Sequence, residues 1–233
     1  MRGAIFDLDG TIADTAADLL AAANAVLGPE GLPLLTLQED RQVAGRGGRS
    51  MVRASLARAG RDPDSADSEA LFQRLYPDLL AAYEAAIAVH SRAYDGLDAC
   101  LETLAAGGWR VGVCTNKPER LARILLRALD LDTRFAAILG ADTLPVRKPD
   151  PEHFRETARR IGAVPSRSVM LGDTLTDRET ARAAGVPCIL MSHGFAAEPL
   201  LALAPEAIAE SFHDVPALLE RLSPPELATR PDA

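Results

Sequence analysis

Short continuous runs of apolar residues alternate with longer amphipathic segments over much of this chain. The runs at 4–6, 111–114, 136–139, 168–171, 188–191 and 207–209 have the length and composition of buried strands. From residue 97 onward, apolar residues at helical spacing predict helices at 97–105, 119–129, 151–161, 177–184 and 215–222. Because strands that alternate with helices form parallel sheets, the pattern predicts an α/β fold with a doubly wound, Rossmann-like parallel sheet.

The first strand is followed by a long stretch in which only helices are predicted. These helices lie at 16–27, 50–59 and 68–89, with a shorter segment at 37–43 and a loop at 60–67. Since no convincing strand comes before residue 111, we predict a helical cap domain, residues 16–90, inserted after the first strand. The core domain then consists of residues 1–15 and 91–223, and residues 224–233 form a flexible C-terminal tail.

The composition is that of an ordinary folded protein, and it narrows the possible partners. Of the 233 residues, 48% are hydrophobic and 25% are charged. A net charge of -8 and an aromatic content of 4% argue against nucleic-acid binding, which needs a basic face or stacking platforms. No stretch is apolar enough to span a membrane, no signal peptide precedes the first strand, and three scattered cysteines suit a reducing compartment. We therefore predict a cytoplasmic protein, a monomer or small homo-oligomer.

Two carboxylates, Asp7 and Asp9, directly follow the first predicted strand. In an open parallel sheet, ligands bind outside the carboxyl ends of the strands, so these acids are placed at the mouth of a site. Carboxylates this close stay ionised only if a cation or hydrogen-bond donors offset their repulsion, which favours an oxygen-liganded divalent metal. The alternative is a turn or a helix cap.

Further chemistry-bearing residues follow three other apolar runs, which makes the constellation more specific than one acidic pair. They are Thr115 and Asn116 after the second strand, Lys148 in a loop after the third, and Asp173 with Asp177 after the fourth. Only two of the 25 basic residues are lysine, Lys117 and Lys148, and both lie beside these motifs. A compact ammonium suits a phosphate or carboxylate partner, so the composition favours a role for Lys148. Lys117 precedes a proline, and its position is equally well explained as the start of a helix.

The order Asp-x-Asp-Gly-Thr, Thr-Asn, Lys-Pro and Gly-Asp-x-x-x-Asp resembles the haloacid dehalogenase superfamily of phosphotransferases, and it covers nearly the whole chain. Residues 6–15, 114–118 and 142–151 most resemble the phosphoglycolate phosphatases of that superfamily, as does the run 83–96. The second acid, Asp9, is absent from the dehalogenases, which have no alkoxide leaving group to protonate. The resemblance therefore implies a phosphoryl substrate, a small phosphorylated metabolite.

The resemblance also implies a role for each motif residue. Asp7 is the nucleophile that forms an aspartyl phosphate, and Asp9 is the general acid and then the general base. The hydroxyl of Thr115, the backbone amide of Asn116 and the ammonium of Lys148 bind the phosphate oxygens.

The cofactor that the resemblance implies is Mg2+. Its expected ligands are Asp7, the backbone carbonyl of Asp9, and Asp173, while Asp177 binds through water or orients Asp173. One departure from the family pattern follows these acids, since Arg178 and Glu179 replace the usual small or apolar residues.

Substrate choice is expected to lie in the cap, where residues 45–49 form a glycine-rich basic loop. The loop lacks the lysine and the preceding strand of a nucleotide-binding P-loop. Our hypothesis is that Arg46 binds the substrate carboxylate, the alternative being a solvated arginine.

The resemblance that these residues carry implies a Mg2+-dependent hydrolase of phosphoglycolate. The alternatives are a phosphatase or phosphomutase for another small ester, such as a sugar phosphate, a nucleotide or pyrophosphate, and a catalytically idle binding module on the same fold.

Overall fold

The computed structural model describes residues 1–222. Its strands are β1 (Gly3–Phe6), β2 (Ala13–Asp14), β3 (Arg92–Ala93), β4 (Arg110–Cys114), β5 (Ala137–Leu139), β6 (Ser168–Gly172), β7 (Cys188–Met191) and β8 (Ala207–Ala209). Its helices are α1 (Ala16–Leu27), α2 (Leu37–Ala44), α3 (Gly48–Arg58), α4 (Ala66–Ala85), α5 (Leu97–Ala106), α6 (Glu119–Ala128), α7 (Pro151–Arg160), α8 (Leu175–Ala184) and α9 (Val215–Leu222), with short 3-10 helices at Gly28–Glu30, Pro165–Arg167 and Leu200–Leu203. None of the helices in residues 1–222 has the length and apolar character needed to cross a membrane. The predicted tail, 224–233, lies outside the described residues.

Six strands form one parallel sheet in the order β5-β4-β1-β6-β7-β8. Strand β1 is central, and its Gly3 pairs with Arg110 of β4 on one side and with Ser168 of β6 on the other. A sheet that extends in both directions from its first strand is doubly wound, so the predicted fold class is confirmed. The carboxyl ends of β4, β1 and β6 consequently lie side by side at one edge.

Both faces of the sheet are covered, which is why its strands are continuous apolar runs in the sequence. Ala4 and Phe6 of β1 belong to a hydrophobic cluster that includes residues of α5, α6 and α9. Ile5, between them, belongs to a second cluster with Phe154 of α7 and Ala181 of α8. All three side chains of β1 are fully buried, so the strand holds the residues that follow it in a fixed place.

Helices α1 to α4 pack around a hydrophobic cluster of their own, which includes the buried side chains of Leu20, Leu56 and Leu75. Strands β2 and β3 form a short antiparallel ladder where the chain leaves the sheet for this group of helices and returns from it. Phe195, from the loop after β7, is buried in the same cluster. The helical group therefore contacts the sheet's loops at the carboxyl edge.

Helix boundaries differ from the predicted ones where polar caps decide them. Helix α4 begins at residue 66 instead of 68, because the hydroxyl of Ser65 accepts the N–H of Ser68. Helix α8 begins before residue 177, since Asp177 forms a capping box with Thr174. Helix α4 also ends before residue 89, where Ala86 leaves helical geometry with φ of -135°.

Candidate active site

The carboxyl edge of the sheet brings together residues from three predicted motifs. Asp7 follows β1, Thr115 follows β4, and Asp173 follows β6. The N–H of Asp7 donates to the carbonyl of Leu171 at 2.8 Å, and that of Thr115 donates to the carbonyl of Leu139 at 3.0 Å. Because both amides continue the sheet ladders, the positions of these side chains are set by the sheet itself.

Lys148 lies between two acids of this edge. Its Nζ is 2.9 Å from Oδ1 of Asp7 and 2.6 Å from Oδ1 of Asp177, and the lysine is only 3% exposed. Burial alone would lower the pKa of Lys148, but the carboxylates of Asp177 and Asp7 outweigh that effect and raise it above its ordinary value. The side chain is therefore an ammonium ion that bridges the two carboxylates.

Asp173 is held by two donors from different loops. Oδ1 accepts the hydroxyl of Thr11 at 2.7 Å, and Oδ2 accepts the backbone N–H of Phe195 at 2.6 Å. A side chain on either Gly10 or Gly194 would collide with the side chain of Asp173, so both loops can approach it this closely only because these residues are glycine. Burial, and then the charges of Asp177 and Asp7, raise the pKa of Asp173 well above its ordinary range.

Asp177 has both carboxylate oxygens engaged. Oδ2 accepts the N–H of Asp173 at 3.2 Å, together with the N–H and the hydroxyl of Thr174 at 3.1 and 2.8 Å. Oδ1 accepts from Lys148. This arrangement makes Asp177 an anchor for the loop that carries Asp173.

The acids at this edge carry more charge than the protein balances. Oxygen atoms of Asp7, Asp173 and Asp177 all lie within 4.8 Å of one another, and within residues 1–222 Lys148 is the ammonium that contacts the group. Burial raises the pKa of Asp7 to about 6, with Lys148 opposing the shift and Asp177 adding to it. When all three carboxylates are ionised, together with one ammonium they leave a charge of about two negative units, so the donor set fits a hard divalent cation such as Mg2+.

Asp9 occupies a separate position, paired with the second lysine of the chain. Its Oδ1 accepts the hydroxyl of Thr15 at 2.7 Å and the Nζ of Lys117 at 2.7 Å. Lys117 is 8% exposed, and its Nζ lies 4.4 Å from the centre of the Tyr83 ring on α4. Burial would lower the pKa of Lys117, but Asp9 and Tyr83 raise it above its ordinary value. The pair is thus an ion pair at the contact between sheet and helical group.

Thr115 and Asn116 join the neighbouring loops. The hydroxyl oxygen of Thr115 accepts the N–H of Lys117 at 3.1 Å, which leaves its proton free for another acceptor. The side-chain amide of Asn116 donates to the carbonyl of Lys148 at 3.0 Å. The second and third motifs are therefore held against each other.

A cavity of about 800 Å³ opens between this edge and the helical group. The residues that line it include Asp7, Asp9, Thr115 and Lys148 from the sheet side, and Arg46, Tyr76 and Leu79 from the helices. Arg46 also forms an ion pair with Glu198, at 3.1 Å, in which both side chains are substantially exposed. The cavity has room for a small ester, with the acids at its floor and a cation at its mouth.

Arg178, which departs from the family pattern after Asp177, does not disturb the site. The guanidinium of Arg178 donates to Glu206 at 3.0 and 3.2 Å and to the carbonyl of Leu203. The interaction ties α8 to the segment before β8, outside the acidic cluster.

The haloacid dehalogenase-like hydrolase family matches residues 4–191, a span that contains the four aspartates Asp7, Asp9, Asp173 and Asp177. The chain belongs to this family. The match spans strands β1 to β7 and the inserted helices, so the family assignment rests on all the motifs and not on one alone.

Relatives within the family cover nearly the full chain. A phosphoglycolate phosphatase of Caulobacter vibrioides is 40% identical over 211 residues, 91% of this chain and 87% of the relative. One of Agrobacterium fabrum is 38% identical over 94% of this chain and 93% of the relative. A crystal structure described as a predicted phosphoglycolate phosphatase from Haemophilus somnus 129pt superposes with a TM-score of 0.81 at 26% identity, covering 92% of this chain and 96% of that one. The prediction that this haloacid dehalogenase-like protein is a phosphatase is confirmed.

Sequence motifs located the acids and Lys148 but missed contacts that hold them. Thr11 and Phe195 both donate to Asp173, and the second of these lies outside every motif. The rarity of lysine in the sequence pointed to Lys117, but nothing in the sequence pointed to its pairing with Asp9, which is 108 residues away in the chain. Such contacts depend on how the loops meet, which a local pattern does not show.

Proposed function

We propose that this protein is a Mg2+-dependent phosphomonoester hydrolase that works through an aspartyl-phosphate intermediate and hydrolyses phosphoglycolate to glycolate and phosphate. The observation that carries the proposal is the asymmetry of Asp7. Its Oδ1 accepts both the N–H of Leu8 at 2.7 Å and the ammonium of Lys148, whereas Oδ2 has no hydrogen bond within residues 1–222. An oriented carboxylate with one free oxygen at a cavity floor is suited to nucleophilic attack.

In the first step Oδ2 of Asp7 attacks phosphorus, and the bond from phosphorus to the ester oxygen breaks. The electron pair goes to the departing oxygen, which takes a proton from Asp9. In the second step water attacks the phosphoryl group and gives a proton to Asp9, and the Asp7 carboxylate leaves. Phosphate and glycolate are the products, and both acids return to their starting states.

In this proposal three donors bind the oxygens of the transferring group. They are the hydroxyl of Thr115, the backbone N–H of Asn116 and the ammonium of Lys148. Donors that are held before the reaction begins stabilise the charge of the transition state without reorganisation. The hydrogen bond from Asn116 to the carbonyl of Lys148, which joins their two loops, and the one from Lys117 to Thr115 within one loop supply that preorganisation.

Asp7, the carbonyl oxygen of Asp9 and Asp173 would hold Mg2+. When bound, the ion neutralises negative charge between the phosphate and the nucleophile. Asp177, whose oxygens are already engaged, acts by orienting Asp173 and Lys148, or contacts the ion through water.

Residues 16–90 serve as the cap in this proposal, and they close over the substrate to exclude water. The short ladder of β2 and β3 supports this role, because it is the connection about which the helical group would move. Arg46 at the cavity mouth binds the carboxylate of the substrate, and the names of the relatives favour phosphoglycolate over other esters. A monomer or small homo-oligomer in the cytoplasm stays our prediction.

The test is phosphate release from phosphoglycolate, sugar phosphates, nucleotides and pyrophosphate, each with Mg2+ and with chelator. We expect strong metal-dependent preference for phosphoglycolate. Preference for another ester would be consistent with the proposed mechanism but would contradict the assignment of phosphoglycolate as the substrate. The Asp7→Asn protein, folded by circular dichroism, should release no phosphate, and wild-type turnover by that variant would remove Asp7 from the nucleophile's role.

A further inference from the structure

The two oxygens of Asp9 have different surroundings. Oδ1 accepts two strong hydrogen bonds, from the hydroxyl of Thr15 and from the ammonium of Lys117, each at 2.7 Å. Oδ2 accepts no hydrogen bond within residues 1–222, and Asp9 lines the cavity beside Asp7. One oxygen is thus fixed and the other is available to a substrate.

Lys117 is itself held rigidly for a residue with a long side chain. Its backbone N–H donates to the hydroxyl oxygen of Thr115, and its carbonyl accepts the N–H of Ala141 at 2.9 Å. The side chain is buried, and the face of the Tyr83 ring covers its ammonium. With both ends fixed, Lys117 has little freedom to leave Asp9.

We propose that Lys117 is a positioning residue for the reaction, which together with Thr15 fixes Oδ1 of Asp9 so that Oδ2 carries the catalytic proton. The inference rests on the proposed function, since it needs Asp9 to protonate a leaving group. As the bond from phosphorus to the ester oxygen breaks, the proton on Oδ2 moves to that oxygen and the carboxylate remains. Lys117 neither gives nor takes a proton, and it stabilises the carboxylate that the transfer leaves.

The test compares two esters of similar size and without a carboxylate. Benzyl phosphate releases an alkoxide that needs a proton, whereas p-nitrophenyl phosphate releases a stable phenolate that does not. We compare kcat/KM, because this parameter reports only the steps up to departure of the alcohol and does not include hydrolysis of the aspartyl phosphate. Lys117→Met should lose at least about tenfold more on benzyl phosphate than on p-nitrophenyl phosphate, within the usual contribution of general acid catalysis. Asp9→Asn should show the same selectivity.

Arg178→Met is the matched control, since it also removes a buried cation from an ion pair, but outside the site. It should change both esters by the same factor. Equal losses on both esters for Lys117→Met would overturn the inference and assign the lysine a structural role. A loss confined to phosphoglycolate would overturn it in favour of direct binding of the substrate carboxylate. Absence of metal-dependent release from any ester by the wild-type protein would instead overturn the proposed function, and this inference with it.

Discussion

Nζ of Lys148 lies 2.6 Å from Oδ1 of Asp177, and both side chains are almost completely buried. The same ammonium reaches the nucleophile candidate Asp7 at 2.9 Å, so one cation serves two carboxylates. Breaking a buried pair by removing one partner is costly, because it leaves the other charge without compensation. Lys148 therefore contributes to the stability of the apoprotein, and in the proposed mechanism it also takes part in the chemistry.

Lys148→Met should lower kcat by roughly a hundredfold or more, because it removes one preorganised donor to the phosphate. It should also destabilise the metal-free protein by about 3 kcal/mol. Mg2+ should restore part of that stability by supplying positive charge to the same acids. Steady-state kinetics and urea unfolding, with Mg2+ and with chelator, measure these effects. A variant with unchanged kcat would exclude Lys148 from phosphate binding.

The placement of Asp7 and Asp173 at one edge of the sheet was predictable, because each stands at the end of an apolar run and a parallel sheet brings such ends together. The register of β1 with β6 brings these two residues together. The inserted helices were also visible in the sequence as a long stretch without strand patterns, although the two-residue strands β2 and β3 at its ends were missed. Fold class and family motifs are thus encoded locally.

Contacts between loops were not predictable in the same way. The N–H of Phe195 reaches Asp173 only because Gly194 lets the backbone approach, and the side chain of Phe195 enters the cluster of the helical group. Arg46 faces Glu198, 152 residues away, which no spacing rule relates to it. These contacts follow from how helices and sheet dock, which is a property of the assembled fold.

The unusual proton affinity of Asp7 predicts how the metal-free protein responds to pH. Burial raises its pKa from 3.8 to about 6, so between these values the folded state binds more protons than the unfolded state. Stability should therefore fall as the pH rises through this window, by about 2 to 3 kcal/mol from this group. The Asp7→Asn variant should not show this loss of stability with rising pH. Unfolding curves of the variant and the wild type, both measured in chelator, give the difference. An identical pH dependence in both proteins would contradict the shift.

The titration of His153 should change the stability of the protein with pH in the opposite direction. The histidine is fully buried on α7, neither ring nitrogen makes a hydrogen bond of normal geometry within the described residues, and burial lowers its pKa to about 4. The unfolded state gains a proton near pH 6.5 and the folded state only near pH 4, so stability is lost as the pH falls between these values. We expect His153→Leu to remove about 2 to 3 kcal/mol of this dependence.

The same variant also tests the missing hydrogen bonds. Replacing a buried polar group that has no partner with an apolar one is neutral or stabilising at neutral pH. His153→Leu should therefore unfold at an equal or higher urea concentration than the wild type at pH 7.5. A clear loss of stability at that pH would show that the imidazole has a partner that matters.

Arg46 forms an ion pair with Glu198, so substitutions of these two side chains should have opposite effects on binding of the substrate carboxylate. Arg46→Ala should raise KM for phosphoglycolate by roughly tenfold, the value of one charge-assisted hydrogen bond, with little change in kcat. Glu198→Gln should leave KM equal or lower, because the guanidinium is released for the substrate. Ethyl phosphate, which has no carboxylate, is the control ester and should respond to neither variant. An unchanged KM for phosphoglycolate in Arg46→Ala would end the hypothesis.

Gly194 determines how closely the loop after β7 approaches Asp173. A Cβ atom at this position would lie far inside van der Waals contact with the side chain of Asp173, so the carboxylate must move or the loop must retreat. Gly194→Ala should weaken the apparent affinity for Mg2+ by about tenfold or more, since small displacements of a ligand matter at a site with demanding geometry. The matched control is Gly28→Ala, whose new methyl group would meet its nearest neighbour, Leu34, at 3.8 Å. Mg2+ titrations of activity and of thermal stability measure the effect, and the control should follow the wild type. Wild-type Mg2+ dependence in Gly194→Ala would show that this close approach does not set the position of a metal ligand.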